Sequence, residues 1–141
     1  MRFDSIVNLN IEGRILTDIV DISNASYLSN LTIRKLNSAY NSDLPSNVKN
    51  IVIEDSTALP VEIKNLPYLE SITIRNCNVT GGKLTLINLG SEEHPIDLTI
   101  ENSTVNLELS YVYVGNFSSS NNNIEGLTVA NTVIPQLQLL N

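Results

Sequence analysis

The chain has no tryptophan, and its two phenylalanines and five tyrosines amount to only 5% of 141 residues. A core built around large rings is excluded, so the hydrophobic 42% must pack mainly through Leu, Ile and Val. That composition favours regular, stackable layers. The only cysteine, Cys77, excludes an internal disulfide framework and any multi-thiolate zinc site, and it reads as a small buried core residue. The only histidine, His94, stands in the loop SEEHP beside Glu92 and Glu93 with no second imidazole, so neither a metal site nor a cofactor is expected. Positive charge is also scarce. Eight Lys and Arg against fifteen Asp and Glu give a net charge of −7 with no basic run, which leaves phosphate neutralisation without a source and argues against a nucleic-acid partner.

Long apolar runs are missing too. No stretch of about 18 apolar residues occurs, so no membrane span is expected. Asp4 and Asn8 interrupt MRFDSIVNLN where a leader would be continuously apolar, so no export signal is expected and the cytoplasm or a virion are both open as locations. The five Asn-x-Ser/Thr triplets, at Asn24, Asn30, Asn78, Asn102 and Asn116, are what chance gives in a chain so rich in these residues. No Ser/His/Asp set is apparent, and Gly81-Gly82 lacks the rest of a phosphate-loop motif.

What is present is repetition, within a length that suits one domain spanning 1–141. The pattern apolar-x-apolar-x, then a residue tolerant of left-handed backbone, occurs as LNIEG (9–13), LTIRK (31–35), IVIED (51–55), ITIRN (72–76), LTIEN (98–102) and LTVAN (127–131). The fifth residues are Gly13, Lys35, Asp55, Asn76, Asn102 and Asn131, five of them types that enter φ > 0 cheaply, so a corner is expected in every copy. Successive copies start 22, 20, 21, 26 and 29 positions apart, a drift that a solenoid absorbs as loops on one side of each coil. Ile6, Leu28, Val48, Leu69, Pro95 and Ile124 stand three positions before them.

These intervals resemble the leucine-rich repeat, L-x-x-L-x-L-x-x-[N/C]-x-L, most completely in LESITIRNCNV (69–79), where Cys77 fills the Asn/Cys slot and Val79 closes it. The segment LPVEIKNLPYLESI (59–72) resembles a connecting half-repeat, and the resemblance covers about residues 6–134. Elsewhere the slot holds Arg14, Leu36, Ser56, Ser103 and Thr132; the last three are small and polar enough to bond neighbouring backbone. The chain also resembles the parallel β-helix of pectate-lyase-like proteins, whose coils turn at an Asn after a short strand. LTIENSTVNLELSYVYV (98–114) and KLTLINL (83–89) carry that resemblance, being rich in Val, Ile, Thr and Tyr with little helical period. Either way the expectation is an all-β, right-handed parallel solenoid of about six coils, with strands starting near Leu9, Leu31, Ile51, Ile72, Leu98 and Leu127 and pairing in that order.

Stacked in register, alternate residues fall in columns. The inward columns are Leu9, Leu31, Ile51, Ile72, Leu98, Leu127 and Ile11, Ile33, Ile53, Ile74, Ile100, Val129. One outward column reads Asn10, Thr32, Val52, Thr73, Thr99, Thr128; the other reads Glu12, Arg34, Glu54, Arg75, Glu101, Ala130, with signs alternating rung by rung. Opposite charges on neighbouring strands attract by about 0.2 to 1 kcal/mol per pair, so this column sets register. The Thr column resembles the ladders of ice-binding solenoids, but the charges beside it spoil an uncharged face. Glu54 and Glu101 would lie two rungs apart, about 9 to 10 Å, near the upper limit for an inverting carboxylate pair. Arg75 between them would hold both ionised, whereas a general acid needs a raised pKa, so no catalytic role is expected.

Three connectors bulge: 37–47, 89–95 and 115–126, the last polar enough to be expected mobile. Tyr40 and Phe117 are their aromatic candidates for partner contact. The chain ends in VIPQLQLLN, where Ile134, Leu137, Leu139 and Leu140 follow the last copy, so self-association through that end is expected. The functional expectation is a non-enzymatic interaction module that offers Thr32, Arg34, Glu54, Thr73, Arg75, Thr99, Glu101 and Thr128 to a protein partner. The alternative is a carbohydrate-binding or carbohydrate-cleaving β-helix on a virus or cell surface.

Overall fold

The computed structural model describes residues 6–13, 22–40 and 43–134. Ten strands follow one another: β1 (Asn8–Glu12), β2 (Asn30–Arg34), β3 (Asn50–Glu54), β4 (Glu62–Lys64), β5 (Ser71–Arg75), β6 (Leu84–Leu89), β7 (Ile96–Glu101), β8 (Thr104–Val112), β9 (Val114–Ser120) and β10 (Asn123–Ala130). They form two sheets, one ordered β1-β2-β3-β5-β7-β9 and the other β4-β6-β8-β10, with every pairing parallel. The result is a β-solenoid of about five turns with essentially no helix among the described residues. No helix among those residues is long and apolar enough to cross a membrane.

Alternation places Leu31, Ile51, Ile72 and Leu98, and Ile33, Ile53, Ile74 and Ile100, in contiguous buried columns of the first sheet. The second sheet opposes them with Leu84, Leu107 and Leu86, Leu109. Each such side chain contributes about 1.5 to 3 kcal/mol when fully buried, which makes these columns the main source of stability.

Corners are turned in left-handed backbone, with φ between 49° and 57° at Lys35, Asp55, Asn76, Asn102 and Asn121 after first-sheet strands, at Asn65 and Asn131 after β4 and β10, and at Asn88 and Tyr111 one residue before the ends of β6 and β8. Asn and Asp recur there because their short polar side chains reduce the cost of φ > 0. Gly13 departs from the expectation. Its φ is not left-handed; its missing Cβ instead makes room for Leu36, whose Cα and side chain any larger residue would strike.

Inside the corner after the first sheet runs a polar ladder. Leu36 N–H donates to Ser56 Oγ at 3.0 Å, Cys77 N–H to Ser103 Oγ at 3.1 Å, and Ser103 N–H to Asn122 Oδ1 at 2.8 Å. The Ser56 and Ser103 hydroxyls donate back to the carbonyls of Glu54 and Glu101, at 2.9 and 2.8 Å. Thr132 does the same in the second sheet, accepting from Val112 N–H at 3.2 Å. The Asn/Cys slot therefore satisfies backbone groups that the turn removes from the strand ladder, as buried polar groups require. Arg14 lies outside the described residues.

A second ladder marks the strand starts. Asn30 Nδ2 donates to Asn8 Oδ1 at 2.6 Å and Asn50 Nδ2 to Asn30 Oδ1 at 2.8 Å, while Ser71 Oγ donates to Asn50 Oδ1 at 2.8 Å.

The sixth copy is placed differently from expectation. Leu127 belongs to β10 and pairs with Leu107 of β8 in the second sheet; the sixth rung of the first sheet is β9, with Phe117 beside Leu98. Accordingly the segment 115–126, expected as a mobile loop, is mostly strand, and the coils number about five rather than six. The misplacement has a physical cause. Both sheets use the same five-residue grammar, for LTLIN (84–88) and LELSY (107–111) end in left-handed Asn88 and Tyr111 as the first-sheet copies do. Apolar spacing alone does not say to which side of the coil a strand belongs.

Candidate functional site

The outward face of the first sheet is the broadest regular surface. Its columns are Asn10, Thr32, Val52, Thr73, Thr99, Ser118 and Glu12, Arg34, Glu54, Arg75, Glu101, Ser120. Seven of the expected residues, Thr32, Arg34, Glu54, Thr73, Arg75, Thr99 and Glu101, share this face and are half-buried. Thr128 does not. It lies on the second sheet beside Glu108, exposed, and the first-sheet positions given to Thr128 and Ala130 belong to Ser118 and Ser120.

Glu54 is the hub of the charged column. Its Oε1 lies 3.1 Å from Arg34 Nε and its Oε2 lies 3.9 Å from Arg75 Nη1, while Arg34 Nη2 also reaches Asp55 Oδ2 at 3.2 Å. Glu12 pairs with Lys35 Nζ at 3.9 Å rather than with Arg34. Among the described residues no ion pair joins Arg75 to Glu101, so alternation of sign closes on Glu54 and loosens toward both ends. Arg75→Glu should therefore remove a cation from Glu54 and set three carboxylates on successive rungs. A loss of about 1 kcal/mol or less is expected at low salt, shrinking at high salt as exposed charges are screened. Equal thermal melting of the two proteins at low salt would contradict the register.

Glu54 and Glu101 are two rungs apart in register, about 9.6 Å from strand spacing, with Arg75 between them. Two guanidinium groups engage Glu54, and no pocket encloses the pair among the described cavities. No group of three His, Cys, Asp or Glu able to hold a metal occurs among the described residues.

Cys77 is buried beneath this face. Its Sγ lies 3.3 Å from the Arg75 carbonyl oxygen and 3.6 Å from that of Ile53. Burial pushes the thiol pKa up, the nearby Asp55 and Glu54 charges add to it, and backbone hydrogen bonds from the Ser56 and Arg75 region oppose it. A folded pKa above the unfolded value means that Cys77 contributes stability fully below the unfolded thiol pKa, about 8.5, and loses it as pH rises through the folded one. Disulfide-exchange labelling should be slow in the folded protein and fast in urea; equal rates would place Cys77 at the surface.

Of the two aromatic contact candidates, Tyr40 is buried at 6% exposure and serves the core, and Phe117 packs half-buried against it. The exposed rings that spacing did not single out are Tyr27, Tyr68 and Tyr111, at 65%, 58% and 62%. Position within a turn was the available signal for the first two, since each directly precedes the apolar residue that opens a copy. No protein-family model, curated protein or solved structure matches the chain.

Proposed function

We propose that the chain is a non-enzymatic interaction module that offers the outward face of its first sheet to a protein partner. The observation that carries this reading is the in-register pair of columns, Thr32, Thr73, Thr99 beside Arg34, Glu54, Arg75, Glu101, held by parallel strands whose inner faces are fully packed. A rigid surface of fixed charge pattern suits recognition, because interfacial charges give specificity and steering when the partner is complementary. Catalysis has less support. The carboxylates nearest to a catalytic separation stand on an open face with Arg75 between them, and fold alone is no warrant for an activity. The same openness gives the carbohydrate alternative little footing on this face. Strands on both sides of the coil favour the parallel β-helix resemblance over the leucine-rich repeat.

The test is a photo-crosslinking amino acid placed at Thr73 and, as a control, at Thr85 of the second sheet, in the cells that make the protein. A discrete adduct from the Thr73 position alone supports the reading. No adduct, or the same adduct from both, contradicts it.

A second copy is a further partner that one observation favours. On the last coil Val129 and Val133 are 42% and 47% exposed, and Ile124 and Leu127 are only half-buried. Leu137, Leu139 and Leu140 lie outside the described residues. Light scattering at micromolar concentration should give a mass above 15.5 kDa that falls to that value when Val129 and Val133 are both changed to Glu. A 15.5 kDa species before the change removes self-association from the reading.

A further inference from the structure

Three tight turns lead into the first sheet, and they stack. Leu28 N–H bonds the Ala25 carbonyl, Val48 N–H that of Pro45, and Leu69 N–H that of Leu66, at 3.0, 3.3 and 3.3 Å. The third residue of each turn is Tyr27, Asn47 and Tyr68. The Asn47 amide donates to the Ser26 carbonyl oxygen, which ties the middle turn to the one before it. Backbone bonds from Lys49 N–H to Ser29 O and from Glu70 N–H to Lys49 O carry the same one-rung steps onward.

Tyr27 and Tyr68 thus stand two rungs apart, about 9.6 Å, on one edge of the solenoid. Both rings are exposed, and neither hydroxyl has a hydrogen-bond partner among the described residues. Between them stands Asn47, whose shorter side chain is bonded to the Ser26 carbonyl oxygen. An exposed tyrosine usually needs no explanation; two in register on stacked turns, in a chain with so few aromatics, do.

We infer that this row is a docking site for a proline-rich peptide in the polyproline II conformation. Such a peptide advances about 3.1 Å per residue and repeats every three, so prolines at i and i+3 are about 9.3 Å apart, close to the two-rung backbone spacing of the tyrosines. The polyproline II backbone makes no internal hydrogen bonds, and its free carbonyls suit the two unpartnered phenol donors. Aromatic ridges are the general means by which such peptides are held. Charge selects what flanks the prolines. Glu70 is exposed beside Tyr68, and the exposed Glu92 and Glu93 lie in the loop leading to the next rung, against one cation, Lys49, on the middle rung. With a net charge of −7 overall, Arg or Lys on the Tyr68 side of the Pro-x-x-Pro core is favoured. The inference shares with the interaction-module reading only that the ligand is a protein, and its surface is the turn edge rather than the strand face, so either fails without the other.

The probe is a fluorescein-labelled synthetic peptide containing Pro-Ala-Ala-Pro followed by two arginines, titrated with the full chain and read by anisotropy. Tyr27→Ala and Tyr68→Ala should each weaken binding about tenfold. Glu70→Gln should weaken it less and flatten its salt dependence. The parallel crosslink at Thr73 should be unchanged, and circular dichroism of these surface variants should match the parent. A peptide with both prolines changed to alanine that binds equally well overturns the inference, as does tight binding unaltered by either Tyr change. Binding of cellohexaose in place of the peptide, lost in the same Tyr variants, also overturns it, by making the row a glycan site.

Discussion

Replacing Ile74 by alanine is expected to lower the free energy of unfolding by about 2 to 5 kcal/mol, the range for truncating a buried Ile. Ile74 is the fourth of the five residues of β5 and has no solvent exposure, between Ile53 on one rung and Ile100 on the other. Those neighbours belong to strands pinned by their own ladders, so the site can collapse little around the cavity. Against a typical total of about 5 to 15 kcal/mol, the variant would be marginal at room temperature. Urea unfolding measures the difference, and a loss below about 1 kcal/mol would remove Ile74 from the core. Thr73→Ala, one residue away and pointing outward, should cost much less.

Asn122→Ala is expected to be damaging for a different reason. Asn122 is 3% exposed; its Nδ2 donates to the Ile100 carbonyl oxygen at 2.6 Å and to Ser119 Oγ at 2.9 Å, and its Oδ1 accepts from Ser103 N–H at 2.8 Å. Removing the amide strands the buried Ser103 N–H, worth about 1 to 3 kcal/mol when left unsatisfied, and takes a side-chain donor from the Ile100 carbonyl. A loss of about 1 to 3 kcal/mol follows, although alanine is smaller and no less apolar. Asn122→Asp should not rescue, since a carboxylate oxygen would face the Ile100 carbonyl. Asn123→Ala, at the exposed next position, should stay within about 0.5 kcal/mol of the parent. Equal stability of the Asn122→Ala protein would mean that the corner joining β9 to β10 is not built as described.

The same residues explain how far the sequence could be read. The first five rungs were legible because their inward positions are uniform, from Leu31, Ile51, Ile72, Leu98 to Ile33, Ile53, Ile74, Ile100, and because signs alternate at Arg34, Glu54, Arg75 and Glu101. The sixth was hidden. In β9 the position beside Ile100 is Ser119, tolerated because the Asn122 amide supplies it with a buried partner, and only Phe117 remains apolar opposite Leu98. The ladder also shifts register between Ile96 and Asp97, where Gly115 fits against Pro95 at a distance that a Cβ would reduce to 2.9 Å. Two apolar side chains, Val114 and Phe117, three positions apart across that bulge make no period-two signal, whereas LTVAN nearby gives a full one from the opposite sheet. Of the candidate face, Thr128 lies on the opposite sheet with that strand, and the other seven residues share the outward side of the first sheet. The exposed tyrosine row was invisible to an apolar-period search because turns, not strands, carry it.

The central claim is that outward positions on the first sheet climb by one strand spacing per coil, from Asn10 through Thr32, Val52, Thr73 and Thr99 to Ser118. Paired spin labels in a Cys77→Ser background test it most directly. One label stays at Asn10 while the other moves to Thr73, Thr99 and then Ser118, three, four and five rungs away. At about 4.8 Å per rung the backbone separations should be about 14, 19 and 24 Å, rising in equal steps, with a label at Thr128 falling off the series. A Ser118 distance no longer than the Thr99 distance, or a Thr128 label that completes the series in its place, would contradict the account.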